Sequence, residues 1–335
     1  MRVAGADVTA LTVTIVDHNH GAWLPACLES LAAHPYTLGP FDVVVVDNAS
    51  EDASGDGIAS DRIRVLRRET RRGFGANQNT AVAAATGDLV FMLNPDAEVG
   101  AGTLNRLAEA LEAHPRAVIA AGPVAEADQP PSRPKRYPTP GGAFARALGA
   151  ERMRRPAPET ATLVEDVWVS GAAFMVRKDR FLAAGGFDEG FFLYSEAVDL
   201  MRRLTATGDA VAWVPDALTT HAGKTSEAGT SRTDMPTRTW VQFARGEMRY
   251  MRKHHGKAGE WVFRAGAMLD AGIRYLATFV PGLRGSMYAK GPTLAHTRAH
   301  HLTRLHSYAF PSRGDDMEAA AAAWNARHAQ IQEPS

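Results

Sequence analysis

Asn94-Pro95-Asp96 is the segment of this chain best suited to chemistry. It follows directly on Leu89-Val-Phe-Met-Leu93, the continuous apolar run that a buried parallel strand produces. Side chains just beyond the carboxyl ends of such strands line the crevice where open α/β sheets bind ligands. An amide and a carboxylate two residues apart offer oxygens to a hard divalent cation, and such a cation commonly also holds phosphates. The spacing points to a metal-bridged diphosphate on a nucleotide-activated substrate. Taken alone, Asn-Pro-Asp is also ordinary turn chemistry at a strand end.

Other polar clusters stand at comparable places. Asp47-Asn48 closes the run Val43–Val46, and a carboxylate there can accept hydrogen bonds from a base or a ribose. Arg72-Gly73-Phe74-Gly75-x-Asn77-x-Asn79 opens a helical pattern. Its glycines permit close backbone approach, and a helix N-terminus beside Arg72 suits a phosphate. Further on come Trp168-Val-Ser170-Gly171-Ala172, Gly185-Gly186-Phe187-Asp188-Glu189, and Tyr194-Ser-Glu196-Ala197-Val-Asp199. His221 lies seven residues beyond Val214, and imidazole is a metal ligand. Asp17-His18-Asn19-His20 follows the first apolar run, with His18 and His20 either against a nucleobase or bystanders in a loop.

These clusters need a frame to position them. The first 125 residues alternate strand and helix signals. Strands are expected at 11–16, 43–46, 63–66, 89–93 and 118–121, and helices at 23–32, 75–85 and 103–113. That alternation predicts an α/β fold, a mainly parallel sheet with helices on both faces. Gly-x-Gly-x-x-Gly is absent after the first strand, so a dinucleotide fingerprint is not supported. Residues 127–158, rich in Pro and Arg, read as a long mobile loop. Regular signals resume at 167–176, with a helix near 195–207 and a strand at 210–214.

The region 245–304 carries 11 Lys/Arg against 3 Asp/Glu. Helices are expected at 240–254 and 261–280. On the second, Arg264, Asp270 and Arg274 share one side and leave a broad apolar face. That face suits either an anionic membrane surface or packing on the domain or a second subunit. Residues 317–335 read as an Ala-rich helix fading into a polar tail. The expected organisation is a domain over 1–230, a basic helical extension over 231–325 and a tail over 326–335.

With 37 Lys/Arg against 37 Asp/Glu, the net charge names no nucleic-acid partner. The single Cys27 excludes an internal disulfide and falls among Leu24, Leu28 and Leu31 as a core residue. No secretory leader or membrane span is read, so a cytoplasmic protein is expected, free or peripheral at the inner membrane face.

Taken together and in order, these motifs resemble family-2 nucleotide-sugar glycosyltransferases, nearest the bacterial rhamnosyltransferase branch that builds cell-envelope polysaccharide. The resemblance runs from about Thr12 to Ser226. It implies a GT-A-type (Rossmann-like) fold with a helical C-terminal extension, a divalent cation (Mg²⁺ or Mn²⁺), and inversion at the anomeric carbon. The donor it implies is a nucleotide-diphosphate sugar, with dTDP-rhamnose first among them, and the acceptor a glycan or lipid-linked glycan. Asn19, Asp47, Asn48, Arg72, Gly73, Asn77, Asn79 and Asn94 would serve the donor. Trp168, Ser170 and Gly171 would lie on the acceptor side, and Asp96 with His221 at the metal. One departure stands out. Relatives carry Glu-Asp-x-Asp, whose first Asp is the expected base, and this chain has Ala197 there. Either Glu196 or Asp199 takes the proton, or the chain is a weak or non-catalytic homologue or partner subunit, or the alanine was introduced. The acids also suit a helix N-terminus.

Overall fold

A computed structural model describes residues 9–127, 129–150, 163–206, 208–222, 237–280, 294–310 and 317–332. In chain order the strands are β1 (Leu11–Asp17), β2 (Phe41–Asp47), β3 (Ile63–Arg67), β4 (Leu89–Leu93), β5 (Ala97–Val99), β6 (Ala117–Ala121), β7 (Val124–Ala125), β8 (Lys135–Arg136), β9 (Leu163–Val164), β10 (Val167–Trp168), β11 (Ala173–Arg177), β12 (Ala210–Trp213) and β13 (Thr219–His221). The helices are α1 (Leu24–Ala33), α2 (Phe74–Ala84), α3 (Thr103–Ala113), α4 (Gly142–Ala147), α5 (Lys178–Ala183), α6 (Glu196–Leu204), α7 (Thr237–Ala277), α8 (Leu294–Ala309) and α9 (Met317–Gln332).

Eight strands form the main sheet in the order β3-β2-β1-β4-β11-β6-β12-β9. The pairings β3/β2, β2/β1, β1/β4 and β6/β12 are parallel, while β11 runs antiparallel to both neighbours and β9 antiparallel to β12. The central strands are apolar throughout because both faces are covered. Leu11, Val13, Phe91 and Met175 meet Leu24, Cys27 and Leu31 of α1 and Leu104, Leu107 and Leu111 of α3 in one core. Val90, Met92, Phe174 and Val176 meet Phe181, Phe187, Leu200 and Met201 in another. Gly87, in the turn before β4, has room for no side chain. A Cβ there would stand 2.6 Å from the Thr12 amide nitrogen.

A small sheet, β5-β13-β7, stands beside the main one. Its register sets His221 opposite Ala97. None of its three strands was readable beforehand, since each is two or three residues long.

The chain forms two compact units. The first gathers residues up to 137 with 156–189 and 197–227, and the second gathers 138–155, 190–196 and 228–335. The second unit is helical. The two helices expected at 240–254 and 261–280 are one element, α7, kinked at Gly256, whose φ of 68° is a left-handed value that favours glycine. Helix α8 was not anticipated. Within the span expected to be an irregular loop, residues 135–136 form β8 and 142–147 form α4. Helix α4 exists because Ala143 and Phe144 press on Gly266 of α7. The part of that expected loop at 151–158 lies outside the described residues.

The charged side of α7 faces inward at Asp270. Asp270 is buried and accepts hydrogen bonds from Arg274 (2.7 Å) and Arg304 (2.9 Å), with Arg146 at 3.9 Å. Three guanidinium groups around one carboxylate neutralise a charge that burial alone would disfavour.

Candidate donor and metal site

Three parallel strands end at the same edge of the first unit. The register pairs Asp17 with Asp47, and β4 ends at Leu93 one step from Asn94. The antiparallel β11 begins opposite Leu93, so its preceding loop meets the same edge, and the Asn94 amide donates to the Ala172 carbonyl (2.8 Å). The metal motif and the Ser170-Gly171 loop are thus neighbours through backbone pairing. A Cβ added at Gly171 would lie 3.0 Å from the Ala197 Cβ, which sets the expected base position against that loop.

Asp96 and His221 come together across β5 and β13. His221 Nε2 lies 3.1 Å from Asp96 Oδ1 and 3.3 Å from Asn94 Nδ2. The Ala222 amide donates to the Asp96 carbonyl (2.9 Å) and fixes the pair. The other ring nitrogen, Nδ1, is 3.3 Å from Glu126 Oε1. Glu126 was missed because it stands in a polar stretch with no motif around it. A carboxylate on the far nitrogen is what orients a metal-ligating imidazole. Burial opposes charge on this ring, but the hydrogen bonds it donates to Asp96 and Glu126 outweigh that and raise His221 to about 9.

The donor set fits a hard divalent cation. One carboxylate and one imidazole meet at adjacent-ligand spacing, and an amide stands beside them. Among the described residues no three His, Cys, Asp or Glu side chains form a closed cage. Open positions are what Mg²⁺-like sites need, because they are completed by water and substrate phosphates.

The other expected donor residues are largely committed within the fold. Asn48 and Arg72 bond reciprocally: Asn48 Nδ2 donates to the Arg72 carbonyl (2.9 Å) and the Arg72 amide to Asn48 Oδ1 (2.8 Å). Asn77 is fully buried. Its Nδ2 donates to the carbonyls of Arg72 (3.2 Å) and Gly73 (3.1 Å), and its Oδ1 accepts from Arg68 Nε (3.3 Å). Asn79 pairs in both directions with the Phe187 backbone (3.0 and 2.8 Å). These three amides thus hold the backbone of the 72–79 segment and of Phe187 in place. Gly73 caps α2 in extended conformation. The Arg72 guanidinium is half exposed and bonds Glu189 (2.8 Å). Asn19, with a φ of 59°, accepts from the Glu51 amide (2.7 Å) and its own amide donates to Ser50 Oγ (3.1 Å), so it ties the loops after β1 and β2 together. Asp47 is buried, accepts from the Ser50 amide (2.9 Å), and has Arg67 at 4.0 Å. Asp17, not singled out from sequence, is fully buried and accepts from Ser50 Oγ (3.2 Å) and from Ser54. His18 is held below its ordinary pKa, first by burial and then by Arg71, so it is neutral at pH 7, with Nδ1 3.0 Å from the Asn48 carbonyl.

On the expected acceptor side, Trp168 Nε1 donates to the Arg136 carbonyl (3.2 Å), and Lys135 Nζ stands 5.2 Å from its ring centre. Ser170 Oγ accepts from the Ala172 amide (3.3 Å).

The two acids of α6 differ sharply. Asp199 is fully buried and accepts from Arg203 Nε (2.9 Å). Arg203 in turn clamps the carbonyls of Ala184 (2.5 Å) and Gly186 (2.6 Å). Asp199 is thus engaged as the anion that holds Arg203. Glu196 is also buried, yet its Oε2 has no hydrogen-bond partner among the described residues. Burial raises this carboxyl to about 7. The two residues before it, Tyr194 and Ser195, hold φ values of 68° and 66°, left-handed conformations that non-glycine residues rarely adopt. Such strain collects at functional positions.

The model of glycosyl transferase family 2 matches residues 12–178. An N-acetylglucosaminyl-diphospho-decaprenol L-rhamnosyltransferase of Mycobacterium tuberculosis is 30% identical over 235 residues, covering 63% of this chain and 75% of the relative. Rhamnosyltransferase WbbL of Escherichia coli is 40% identical over 48 residues, 14% of this chain and 18% of that one. Among solved structures, GalNAc-T7 with UDP, GalNAc and Mn²⁺ shares the fold at TM-score 0.55 and 15% identity. The match covers 98% of this chain, which spans only 59% of that protein's length. S. aureus TarS 1-349 superimposes at TM-score 0.50 and 14% identity, covering 90% of this chain and 91% of that one. The chain belongs to glycosyl transferase family 2, as a rhamnosyltransferase-like member with a GT-A-type fold.

Proposed function

We propose that this protein transfers a sugar, with inversion, from a nucleotide-diphosphate donor to a glycan or lipid-linked glycan acceptor in cell-envelope polysaccharide synthesis. Rhamnose from dTDP-rhamnose is the first donor to test, because the curated relatives are rhamnosyltransferases. A lipid-linked acceptor would place the work at the inner face of the cell membrane. The observation that carries the reading is the meeting of Asp96, His221 and Asn94 at the carboxyl end of β4.

Asp96 and His221 would hold a divalent cation there, which would supply positive charge to the diphosphate leaving group. Glu126 fixes the imidazole so that Nε2 points to Asp96. Arg72, half exposed beside Glu189, is the cation of the 72–79 segment available to a phosphate. Asp47 stands at the β2 end, where a nucleoside would be read.

The acceptor hydroxyl must lose a proton, and Ala197 cannot take it. Glu196, one residue earlier, is the carboxylate with an unpartnered oxygen, and its raised pKa suits a general base working near neutrality. The test is nucleoside-diphosphate release from a panel of nucleotide sugars with Mn²⁺, for the parent chain, Glu196→Gln and Ala197→Asp. The parent is expected to turn over, with Glu196→Gln slower by about a hundredfold or more. Activity in Ala197→Asp alone would instead favour the non-catalytic reading of the parent.

A further inference from the structure

The helical unit carries an apolar stripe on its outside. Along the second half of α7, exposed positions recur at helical spacing as Trp261, Leu269 and Leu276, with Phe279 just past the helix end. Trp261 is 63% exposed and Leu276 65%, values out of place on a face designed for water. On α8, which packs beside α7, Leu302 is exposed in the same way, and Phe310 just past its end is too. The inward faces hold Phe263 and Tyr308 but also the polar Asp270, Thr297, His301 and Ser307. An ordinary surface helix turns its polar side to water.

The charge around this stripe has one sign. Of the residues from 245 to 304, the three acids are all engaged. Asp270 binds arginines, Glu260 is buried against Arg252, and Glu247 accepts from the Tyr308 hydroxyl. The exposed charges on the described part are basic, among them Arg252, Lys253 and Lys257. Two aromatics of the stripe lie under guanidinium groups, Trp261 beneath Arg264 (4.6 Å) and Phe279 beneath Arg298 (3.9 Å). A cation over an aromatic ring beside exposed leucines suits the boundary between lipid headgroups and acyl chains. A second copy of this chain would bring two basic faces together, which repels. Among the described residues no helix is long and apolar enough to cross a membrane.

We propose that the outer face of α7 and α8 docks on an anionic lipid bilayer, inserting Trp261, Leu269, Leu276 and Phe279 while the surrounding Lys and Arg side chains meet headgroup phosphates. This goes beyond the donor-site reading and does not depend on it.

The test is co-sedimentation of the full chain with vesicles of phosphatidylcholine alone or with roughly a third phosphatidylglycerol. The protein should bind the anionic vesicles and release several-fold on raising salt to about 0.5 M. Leu269→Glu/Leu276→Glu should lower the partition coefficient at least about tenfold. Both positions are exposed, so the variant folds, and a circular-dichroism melt checks this. Leu182→Glu, at an exposed leucine of α5, should bind as the parent does. Absence of binding to anionic vesicles would overturn the proposal. So would equal binding by the double variant, or equal loss in Leu182→Glu. A parent dimer that the double variant dissolves, with neither form binding vesicles, would give the face to a second copy instead.

Discussion

At the scale of single residues, the proposed site divides into groups that would serve a ligand and groups paired within the fold. Asp199 belongs to the second kind. Asp199→Asn leaves Arg203 half-buried without its anion, and should cost about 3 kcal/mol in urea unfolding while changing kcat of the folded fraction little. Glu196 behaves differently. Burial raises its carboxyl to about 7 in the folded chain against 4.5 for an ordinary glutamate, so the folded state keeps a proton that the unfolded state has already lost. That stabilisation is complete below about pH 4 and disappears as the pH rises through 7, a loss of up to about 3 kcal/mol. Glu196→Gln escapes it. The variant should therefore gain on the parent in thermal melts near pH 8 and show no advantage near pH 4. Equal differences at both pH values would contradict the raised pKa. The meeting of Asn94, Asp96 and His221 was anticipated from the order of the motifs, and their service to a cation is the proposal. The backbone bonds of Asn48, Asn77 and Asn79 were not readable, for a physical reason. An amide beside a glycine-rich turn serves backbone groups as readily as it serves a ligand, and sequence cannot tell which it faces.

At the scale of elements, strands with continuous apolar runs and helices with a three-to-four-residue apolar spacing were readable almost to their ends. Helix α3 spans Thr103–Ala113 and β4 spans Leu89–Leu93, as the pattern predicts. The short strands β5, β7 and β13 were not readable, although they carry His221 to Asp96. Two- and three-residue strands have no periodicity, and their pairing depends on residues more than 90 positions apart. One glycine guards this arrangement. At Gly122, just after β6, a Cβ would collide with the Ala217 carbonyl, which is backbone and cannot swing aside. Gly122→Ala should destabilise the first unit by about 3 kcal/mol or more, seen as a lower urea midpoint. A midpoint equal to the parent's would show that the β6 and β12 ends are not held as described.

At the scale of the whole molecule, equal numbers of acids and bases conceal an uneven distribution. The basic surplus gathers in 245–304, while the acids there are turned inward. Composition revealed the surplus but not the direction of α7, because a helical wheel with one charged and one apolar side does not say which side meets the core. The buried Asp270 decides it. Asp270→Asn removes the anion shared by Arg146, Arg274 and Arg304, and should destabilise the helical unit by about 3 to 5 kcal/mol in denaturant. The proposed transfer depends above all on a cation-dependent donor site, which one titration tests directly. Calorimetry of dTDP, UDP and GDP into the parent, with and without Mn²⁺, should find one nucleoside diphosphate that binds only with the cation. Asp96→Ala should lose that binding by about a hundredfold or more, whereas cation-dependent binding that survives unchanged in Asp96→Ala would contradict the assignment of the site.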